Sequence, residues 1–461
     1  MIPVLDGKQP CKRELVAQLT ASYGKDIAAF NRAWALDAVD FGSLDDRALA
    51  VTTDAARADV HRFVGGLLAA YYDLIRVEFD RVAPNHLLIG NRWQPGTAND
   101  EQLVRAAGKR LDVISINYYA YGIDQAFIDK IWRWSGEKPQ FWSEFHYGST
   151  AESGLAGRMD LPSQAARGAA YRHYVEHAAA SGKVLGIEWF QLTDQPVSGR
   201  WFEGLHGEAY AIGMFTVADR PYRDLLAAMA ATNRDALAKV WLEGAKPFVF
   251  DDPRFRARAA GLTTEATHAP GEMVIDGAGA DWPAFPPLRI GADRVALGEP
   301  AKDFAASIRL CYDATALYVL AEVDDPTPMS NERTGASLWD GDGLELFIGA
   351  DTTADGALRA DDRQVLLGAT PAGGATHVVN AEEAEPTIVV RRAAGRPGYV
   401  IEAALAWADL GLEPKPGRTL RFNLAVDDGE PGAGRRVQLV WCGGELASSD
   451  RGGWGILRLA P

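Results

Sequence analysis

The first half of the chain alternates short apolar runs with long amphipathic stretches. Strands alternating with helices of ten or more residues indicate βα units and a parallel sheet. The strands are short and almost wholly apolar, as expected when both faces are buried. The predicted strands span 86–93, 112–119, 139–146 and 184–191, and the predicted helices span 12–34, 54–82, 100–110, 124–134, 163–181 and 221–241.

Polar and aromatic residues follow every predicted strand. A doubly wound sheet is the alternative architecture, but none of these strands leads into a glycine-rich phosphate loop. Functional residues at the ends of several successive strands favour a (β/α)8 barrel, of which about four βα units are visible here. The residues in question are Arg92 and Trp93, Asn117 and Tyr119, Glu144 and His146, and Trp189 and Gln191.

The second half has a different pattern, with short β runs separated by Gly, Pro and Asp. Regular short strands with turn signals predict an antiparallel β-sandwich. The runs span 306–312, 316–323, 343–348, 398–403, 420–426 and 455–459. We therefore predict an α/β domain over 1–241, a linker over 242–270 and an all-β domain over 271–461.

Composition narrows the classes of ligand. A net charge of −15 argues against nucleic acid and anionic membranes as partners, and it is compatible with a neutral ligand such as a sugar. The 13 Trp residues could stack on pyranose rings or simply fill the core. Three distant cysteines encode no disulfide framework, and no transition-metal motif is present. No run reaches transmembrane length and no signal peptide is visible, so the sequence leaves localisation open.

Residues 139–147 (PQFWSEFHY) carry the most chemical information. Strand alternation places Trp142, Glu144 and His146 on one face. A carboxylate at the carboxyl end of an apolar strand suits catalysis in a barrel, because catalytic groups are built there. An ordinary surface Glu at a strand end is the alternative, and the local pattern leaves both open.

Four motifs resemble those of β-agarase-like glycoside hydrolases of clan A: SYGKDIAAFNRAW, SEFHYG, WFQLTDQPVSGR and GMFTVADRPYRDL. The resemblance covers about residues 10–240 and implies the C-terminal half of a (β/α)8 barrel. It places the seventh-strand nucleophile on Glu144. The Asn-Glu pair that holds the acid/base in that clan has no counterpart here. The resemblance thus implies that barrel strands one to four, and with them the acid/base, are absent from this chain.

Residues 272–460 are similar to family 9 carbohydrate-binding modules and their DOMON-like relatives. The pieces that carry this similarity are IDGAGADW, YDATALYV, WDGDGLELF and GWGIL. Trp339 and Trp282 are candidate sugar platforms, with ordinary packing as the alternative. Asp340, Asp342 and Glu345 could bind a structural Ca²⁺ through oxygen ligands, although Asp-Gly-Asp-Gly is also a good turn sequence. No other cofactor is predicted.

A retaining glycosidase needs two carboxyl groups, one to attack the anomeric carbon and one to protonate the leaving oxygen. Glu144 fits the nucleophile. Strand parity places Ser115, Asn117 and Tyr119 on one face, and it groups Leu88, Gly90 and Arg92 in the same way. Tyr119 and Arg92 are therefore candidate donors that would keep Glu144 ionised. For Arg92, a salt bridge that holds the barrel rim is the alternative. His146 could bind a sugar hydroxyl or pack a loop, and Trp189 could floor the sugar site or belong to the core.

The remaining candidates lie on or after the last predicted strand. Glu188 has the opposite parity to Trp189, so one of the two should face the helices. Asp194 and Glu203 lie on the following loop, where Arg200 could pair with either. We expect these loop residues to contact substrate or to stabilise the loop rather than to supply the acid. The predicted substrate-binding set is Arg92, Asn117, Tyr119, His146, Trp189, Gln191, Asp194 and Arg200.

Two functions follow from this sequence. The first is a retaining hydrolase of a galactan-type polysaccharide with an appended binding module, in which a missing N-terminal half barrel would carry the acid/base. The second is a non-catalytic carbohydrate-binding protein. A polysaccharide or oligosaccharide is the expected partner in both.

Overall fold

The computed structural model describes residues 2–155, 157, 159–200, 207–255, 261–353, 358–381, 383–444 and 447–461. The chain forms two compact units by internal contacts. The first comprises 1–90, 100–114 and 131–138, and the second comprises 91–99, 115–130 and 139–461. None of the described helices is both long enough and apolar enough to cross a membrane.

The first half is a mixture of helices and short strands, as predicted. The helices are α1 (Pro10–Ser22), α2 (Ile27–Trp34), α3 (Asp54–Val82), α4 (Pro95–Ala98), α5 (Glu101–Gly108), α6 (Gln125–Trp134), α7 (Gln164–Ala180), α8 (Arg223–Ala231) and α9 (Leu237–Glu243), with a π-helical turn between the last two, Thr232–Ala236. The strands are β1 (Ile114–Asn117), β2 (Gln140–Phe145) and β3 (Val184–Trp189).

Local capping explains where several helices begin. The side chain of Thr53 accepts a hydrogen bond from the Ala56 amide at the start of α3, and Ser163 caps α7 in the same way. The single helix predicted over 12–34 is wrong. Gly24 and Lys25 take positive φ angles of 58° and 67°, which break the helix before Asp26 caps α2.

The strand predicted over 86–93 is also wrong as a continuous element. Gly90 has a φ of 83°, which interrupts an extended backbone. Only Trp93 pairs with the sheet, through an isolated parallel bridge to Ile116. Upstream, the Leu88 amide donates to the Asp112 carboxylate (2.8 Å) instead of to a ladder carbonyl. A correct apolar pattern is therefore not sufficient to form the strand.

The three strands form one sheet in the order β1-β2-β3, and β2 and β3 are parallel. Helix α7 covers this sheet with aromatic side chains. Tyr174 stacks on Phe145 with ring centroids 4.2 Å apart, and its hydroxyl donates to the Tyr118 carbonyl (2.6 Å). The observed class is thus mixed α/β followed by a β-sandwich, and the assignment of the first half to the C-terminal part of a (β/α)8 barrel stays a prediction.

The second half is a sandwich of mostly antiparallel strands, as predicted. Its elements are β4 (Thr263–His268), β5 (Leu288–Ile290), β6 (Val295–Leu297), β7 (Ala305–Tyr312), β8 (Ala316–Asp324), β9 (Gly343–Gly349), β10 (Arg363–Thr370), β11 (Gly373–Val379), β12 (Thr387–Arg392), β13 (Tyr399–Ala406), α10 (Trp407–Leu410), β14 (Thr419–Glu430), β15 (Gly434–Val440) and β16 (Gly455–Leu459).

The strands of the sandwich form two layers. One sheet runs β11-β10-β9-β14-β16, the other runs β7-β8-β13-β12, and β4 pairs in parallel with both β16 and β7. Leu317, Val319, Leu344 and Leu346 are among the buried side chains of the core between the sheets.

Strand β4 lies inside the segment predicted as a linker (242–270), so the sandwich begins earlier than predicted. Two described residues of that segment before β4 also contact α7. The Phe248 amide donates to Glu176 Oε2 (2.6 Å) and the Phe250 amide donates to His173 Nδ1 (3.2 Å). The described part of this connection is therefore held by specific contacts.

Candidate functional site

Glu144 lies at a β-bulge near the end of β2. The register between β2 and β3 shifts between Trp142 and Phe145, so strict alternation stops there. As a result Trp142 and Phe145 both pack against Tyr174 of α7, with centroid distances of 5.6 and 4.2 Å. The prediction that Trp142 shares a face with Glu144 is therefore wrong.

The carboxylate of Glu144 is held by two donors. Arg92 Nη1 donates to Oε1 (2.5 Å), and the Tyr119 hydroxyl donates to Oε2 (2.7 Å). The Glu144 side chain is 13% exposed and that of Arg92 is 57% exposed. Both partners are the ones predicted from strand parity. Two donors on its two oxygens fix the orientation of this carboxylate.

The strand before Tyr119 is fixed beneath the site. Ser115 Oγ donates to Ser143 Oγ (2.8 Å), which in turn donates to Asn117 Oδ1 (2.9 Å). Asn117 is thus buried and bound to the neighbouring strand. The Tyr118 amide donates to the Glu144 carbonyl (2.9 Å). This bond holds the backbone next to Tyr119 against the backbone of Glu144.

His146 lies beside Tyr119, which binds Glu144. Its ring centroid is 4.8 Å from that of Tyr119, and its Nδ1 lies 3.1 Å from the Phe190 carbonyl oxygen. A proton on Nδ1 would make this a hydrogen bond and leave Nε2 as the acceptor of a neutral ring. These contacts are those of the packing alternative, and the role of His146 toward a sugar stays a prediction.

Trp189 packs on the same aromatic layer as Phe145. Its ring lies 5.4 Å from the Phe145 ring and 6.0 Å from the Tyr171 ring, and its Nε1 donates to the Ile212 carbonyl (3.1 Å). Its neighbour Glu188 is exposed, so Trp189 is the one of the two that faces the helices. These contacts are those expected of a core residue. A role of Trp189 as the floor of the sugar site stays a prediction.

The loop after β3 is tied down by its own polar residues. Asp194 is 4% exposed and accepts from the Gly213 amide (2.8 Å) and from the Tyr222 hydroxyl (2.6 Å). Burial raises the pKa of Tyr222, and the Asp194 hydrogen bond raises it further. Asp194 is therefore a loop-stabilising residue here, one of the two roles expected for it.

Two other predicted residues have local partners. Gln191 Nε2 donates to the Thr193 carbonyl (2.9 Å). Arg200 pairs with Glu208 at 3.1 Å and not with the predicted Asp194. Glu203, the other predicted partner, lies outside the described residues. The structure thus gathers Arg92, Tyr119, Glu144 and His146, whereas these loop residues have separate contacts.

A shallow cavity of about 170 Å³ lies elsewhere in the second unit, on the loops that follow β2 and β3. Asp194 is the one predicted site residue that lines it, together with Glu152, Ser153, Leu155, Val197, Thr216, Val217, Ala218 and Arg220. Glu144 is not part of its lining.

In the sandwich, the two candidate tryptophans differ. Trp282 Nε1 donates to the buried Glu402 carboxylate (2.6 Å), so this residue has a structural partner. Trp339 is 41% exposed, and the Arg435 guanidinium lies 4.7 Å from its ring centroid. An exposed indole beside polar groups remains the better candidate for stacking on a sugar.

The predicted set of Ca²⁺ ligands needs correction. Asp340 pairs with Arg333 and Glu345 pairs with Arg435, and neither belongs to the group of close carboxylates that contains Asp342 among the described residues. The structure instead places carboxylate oxygens of Asp325, Asp342 and Asp428 within 4.8 Å of one another. Asp325 and Asp428, the two partners of Asp342, both lie outside the 340–345 segment, which is why local spacing could not identify them.

This cluster is strongly desolvated. Burial raises the pKa of Asp342 to about 7 and that of Asp428 to about 6. Asp325 Oδ2 is buried without a hydrogen-bond partner among the described residues. Hard oxygen donors of this kind fit Ca²⁺, which would compensate the repulsion among the three carboxylates.

Comparison with known proteins accounts for both halves of the chain. Residues 275–460 match the model of the family described as "Carbohydrate family 9 binding domain-like". β-Agarase B of Vibrio sp. (strain JT0107) is 29% identical over 238 residues, which are 50% of this chain and 24% of that protein. The chain is an agarase-like region joined to a family 9-like module. Endo-1,4-β-xylanase A of Thermotoga maritima is 30% identical over 176 residues, 38% of this chain and 16% of that enzyme.

Two solved structures illustrate these similarities. An exo-β-agarase is 29% identical, with a TM-score of 0.45 and coverage of 53% of this chain and 32% of that one. A family 9 module of Caldicellulosiruptor kristjanssonii, solved with cellotriose, is 19% identical, with a TM-score of 0.36 and coverage of 43% of this chain and 94% of that one.

The chain spans about a quarter of the length of β-agarase B. The agarase homology and the family 9-like module together support a carbohydrate-active protein.

Proposed function

We propose that the agarase-like region carries the nucleophile of a retaining glycoside hydrolase that acts on a galactan-type polysaccharide. The supporting observation is Glu144, a carboxylate at the end of a parallel strand that is bound by Arg92 and Tyr119. The β-agarase homology adds the substrate class. The family 9-like module would hold the same polysaccharide or a related glycan.

Catalysis requires a second carboxyl group about 5–5.5 Å from the first. The partners of Glu144 among the described residues are a guanidinium and a phenol, and neither is an acid of the required strength. We propose that the acid/base comes from a polypeptide segment equivalent to the N-terminal half of the barrel. The present residues would then perform only the nucleophilic half of the reaction.

The nucleophilic half of the reaction can be tested without the acid/base residue. In 2,4-dinitrophenyl 2-deoxy-2-fluoro-β-galactoside, the leaving phenolate needs no protonation. Glu144 Oε would attack the anomeric carbon, and the bond to dinitrophenolate would break with its electron pair on the phenolate oxygen. Azide, which needs no general base, could then displace the Glu144 carboxylate and form the glycosyl azide.

We expect mass spectrometry to find the fluoroglycosyl group on the peptide that contains Glu144, and no adduct in Glu144→Gln. Asp194→Asn is the matched control, because Asp194 is a buried carboxylate outside the group around Glu144, and this variant should still label. An adduct on another residue, or an adduct that persists in Glu144→Gln, would contradict the proposal.

The second candidate function is carbohydrate binding without catalysis, and exposed Trp339 favours it. Isothermal titration with agaro- and cello-oligosaccharides should show binding that Trp339→Ala abolishes. Trp407→Phe is the control, since Trp407 is buried and donates to the Asp313 carbonyl. Binding together with absent labelling at Glu144 would favour this second function, whereas absent binding would exclude it for these ligands.

A further inference from the structure

Both residues that hold Glu144 belong to segments anchored on the family 9-like module. Tyr119 lies two residues before Tyr121, and Arg92 lies in the segment Asn91–Asn99. All of these residues and the module lie in the second compact unit. Two buried cationic side chains, Arg254 and Lys130, connect these segments to the module.

Arg254 forms the first connection, and its side chain is 4% exposed. Its Nη1 donates to the Gly298 carbonyl of the module (3.0 Å) and to the Asp160 carbonyl (2.7 Å). Its guanidinium lies 5.0 Å from the Tyr121 ring centroid. Asp252 neutralises the charge through two hydrogen bonds of 2.9 and 2.6 Å. A buried, fully engaged guanidinium of this kind fixes the geometry of all the groups around it.

Tyr121 transmits this anchoring to the site. The Gly298 amide donates to its hydroxyl (3.4 Å), and the Tyr147 hydroxyl donates to its carbonyl (2.8 Å). Tyr147 itself follows Glu144 by three residues on the same segment. The loop that carries Tyr119 is therefore held between the module on one side and the end of β2 on the other.

Lys130 forms the second connection. Its Nζ donates to Asn99 Oδ1 (2.5 Å) and lies 3.3 Å from Asp450 Oδ2 of the module. Asn99 Nδ2 donates in turn to the Ser449 carbonyl of the module (2.8 Å). The Lys130 and Asp450 side chains are 9% and 7% exposed. This cluster fixes Asn99, the end of the segment Asn91–Asn99 that contains Arg92.

We propose that the family 9-like module positions Arg92 and Tyr119 against Glu144, with Arg254 and Lys130 as positioning residues. The module is then a structural part of the candidate active site as well as a binding domain. The physical reason is that the loop of each donor has polar contacts with the module, at Gly298 for the loop of Tyr119 and at Ser449 for the loop of Arg92. The functional meaning of this role rests on the proposed nucleophile, whereas the structural coupling does not.

The test uses hydrogen exchange of the full chain in the absence of sugar. Arg254→Lys keeps a charge but loses the planar fork, and Asn99→Ala removes both side-chain contacts of the second cluster. We expect about tenfold faster exchange, over 117–122 for the first variant and over 91–99 for the second. Strand β8 is the internal reference that reports an intact sandwich. Lys415→Ala, which removes an exposed ion pair with Glu413 (2.9 Å), is the matched control and should change nothing.

A second readout reports on the site itself. The ¹³C signal of the Tyr119 ring, assigned through Tyr119→Phe, should move in Arg254→Lys toward its position in Glu144→Gln, because both changes weaken the same hydrogen bond. Faster exchange confined to 252–255 and 296–299, with an unmoved Tyr119 signal, would overturn the proposal. Failed labelling at Glu144 would refute only the proposed catalysis, so the two outcomes are distinguishable.

Discussion

Acid should loosen the connection between α7 and the segment that leads into the module, through His173. This imidazole is 3% exposed, and its Nδ1 accepts from the Phe250 amide (3.2 Å). The His177 ring lies 4.1 Å away and the Phe255 ring 5.2 Å away. Burial and, to a smaller extent, the neighbouring His177 lower the pKa of His173 to about 4.

The direction of the pH dependence follows from the linkage between protonation and folding. The unfolded chain binds a proton at His173 near pH 6.5, whereas the folded chain resists it until about pH 4. The stabilisation is therefore complete above pH 6.5 and is lost as the pH falls through that window. A difference of about 2.5 pKa units corresponds to about 3 kcal/mol. The protonated ring also loses its acceptor for the Phe250 amide.

Urea titrations between about pH 7 and about pH 4 would measure the free energy of unfolding. His173→Gln keeps an acceptor for the Phe250 amide but cannot titrate. We expect its loss of stability across this range to be smaller than that of the wild type by about 3 kcal/mol. His86→Gln, at an exposed position, is the control and should follow the wild type. Parallel pH profiles of His173→Gln and the wild type would refute the reasoning.

Three further predictions concern stability. Millimolar Ca²⁺ should raise the melting temperature, and Asp342→Asn should remove that increase; an unchanged melting temperature of the wild type would count against the cation site. Tyr174→Phe removes the buried donor to the Tyr118 carbonyl and should cost about 1–3 kcal/mol in urea titrations, and a neutral result would contradict this. Glu402→Ala leaves the Asp276 and Gly277 amides and the Trp282 indole without their buried acceptor. We expect a loss of at least about 3 kcal/mol, which a loss below about 1 kcal/mol would disprove.

Some of the candidate site was predictable because it depends on short-range order. The periodicity of residues 112–119 places Ser115, Asn117 and Tyr119 together, and the structure shows Tyr119 bound to Glu144. Arg92 was predicted from the same parity argument, although its strand does not form. The backbone next to Arg92 joins the sheet only through the bridge of Trp93 to Ile116. The predicted orientation of Arg92 was correct because Trp93, the last residue of the predicted strand, does pair with the sheet.

Parity failed within β2, because a bulge cannot be inferred from alternation of apolar residues. Trp142 and Phe145 both turn toward Tyr174, a contact that is decided by the packing of α7 on the sheet. The members of the acidic cluster could not be predicted for a related reason. Its members are spread from Asp325 to Asp428, and only the folding of the sandwich brings them together.

The sequence by itself determined the alternation of helices and strands in the first half, the sandwich pattern of the second and the identity of Glu144 as the residue to test. Those features rest on periodicity, turn residues and motifs, all of which are local. The tertiary structure alone decided the bulge at Glu144, the regrouped aspartates and the anchoring of Arg254 and Lys130 on the module. These depend on contacts between residues far apart in the chain, and buried charges select such partners by three-dimensional geometry that no local pattern encodes.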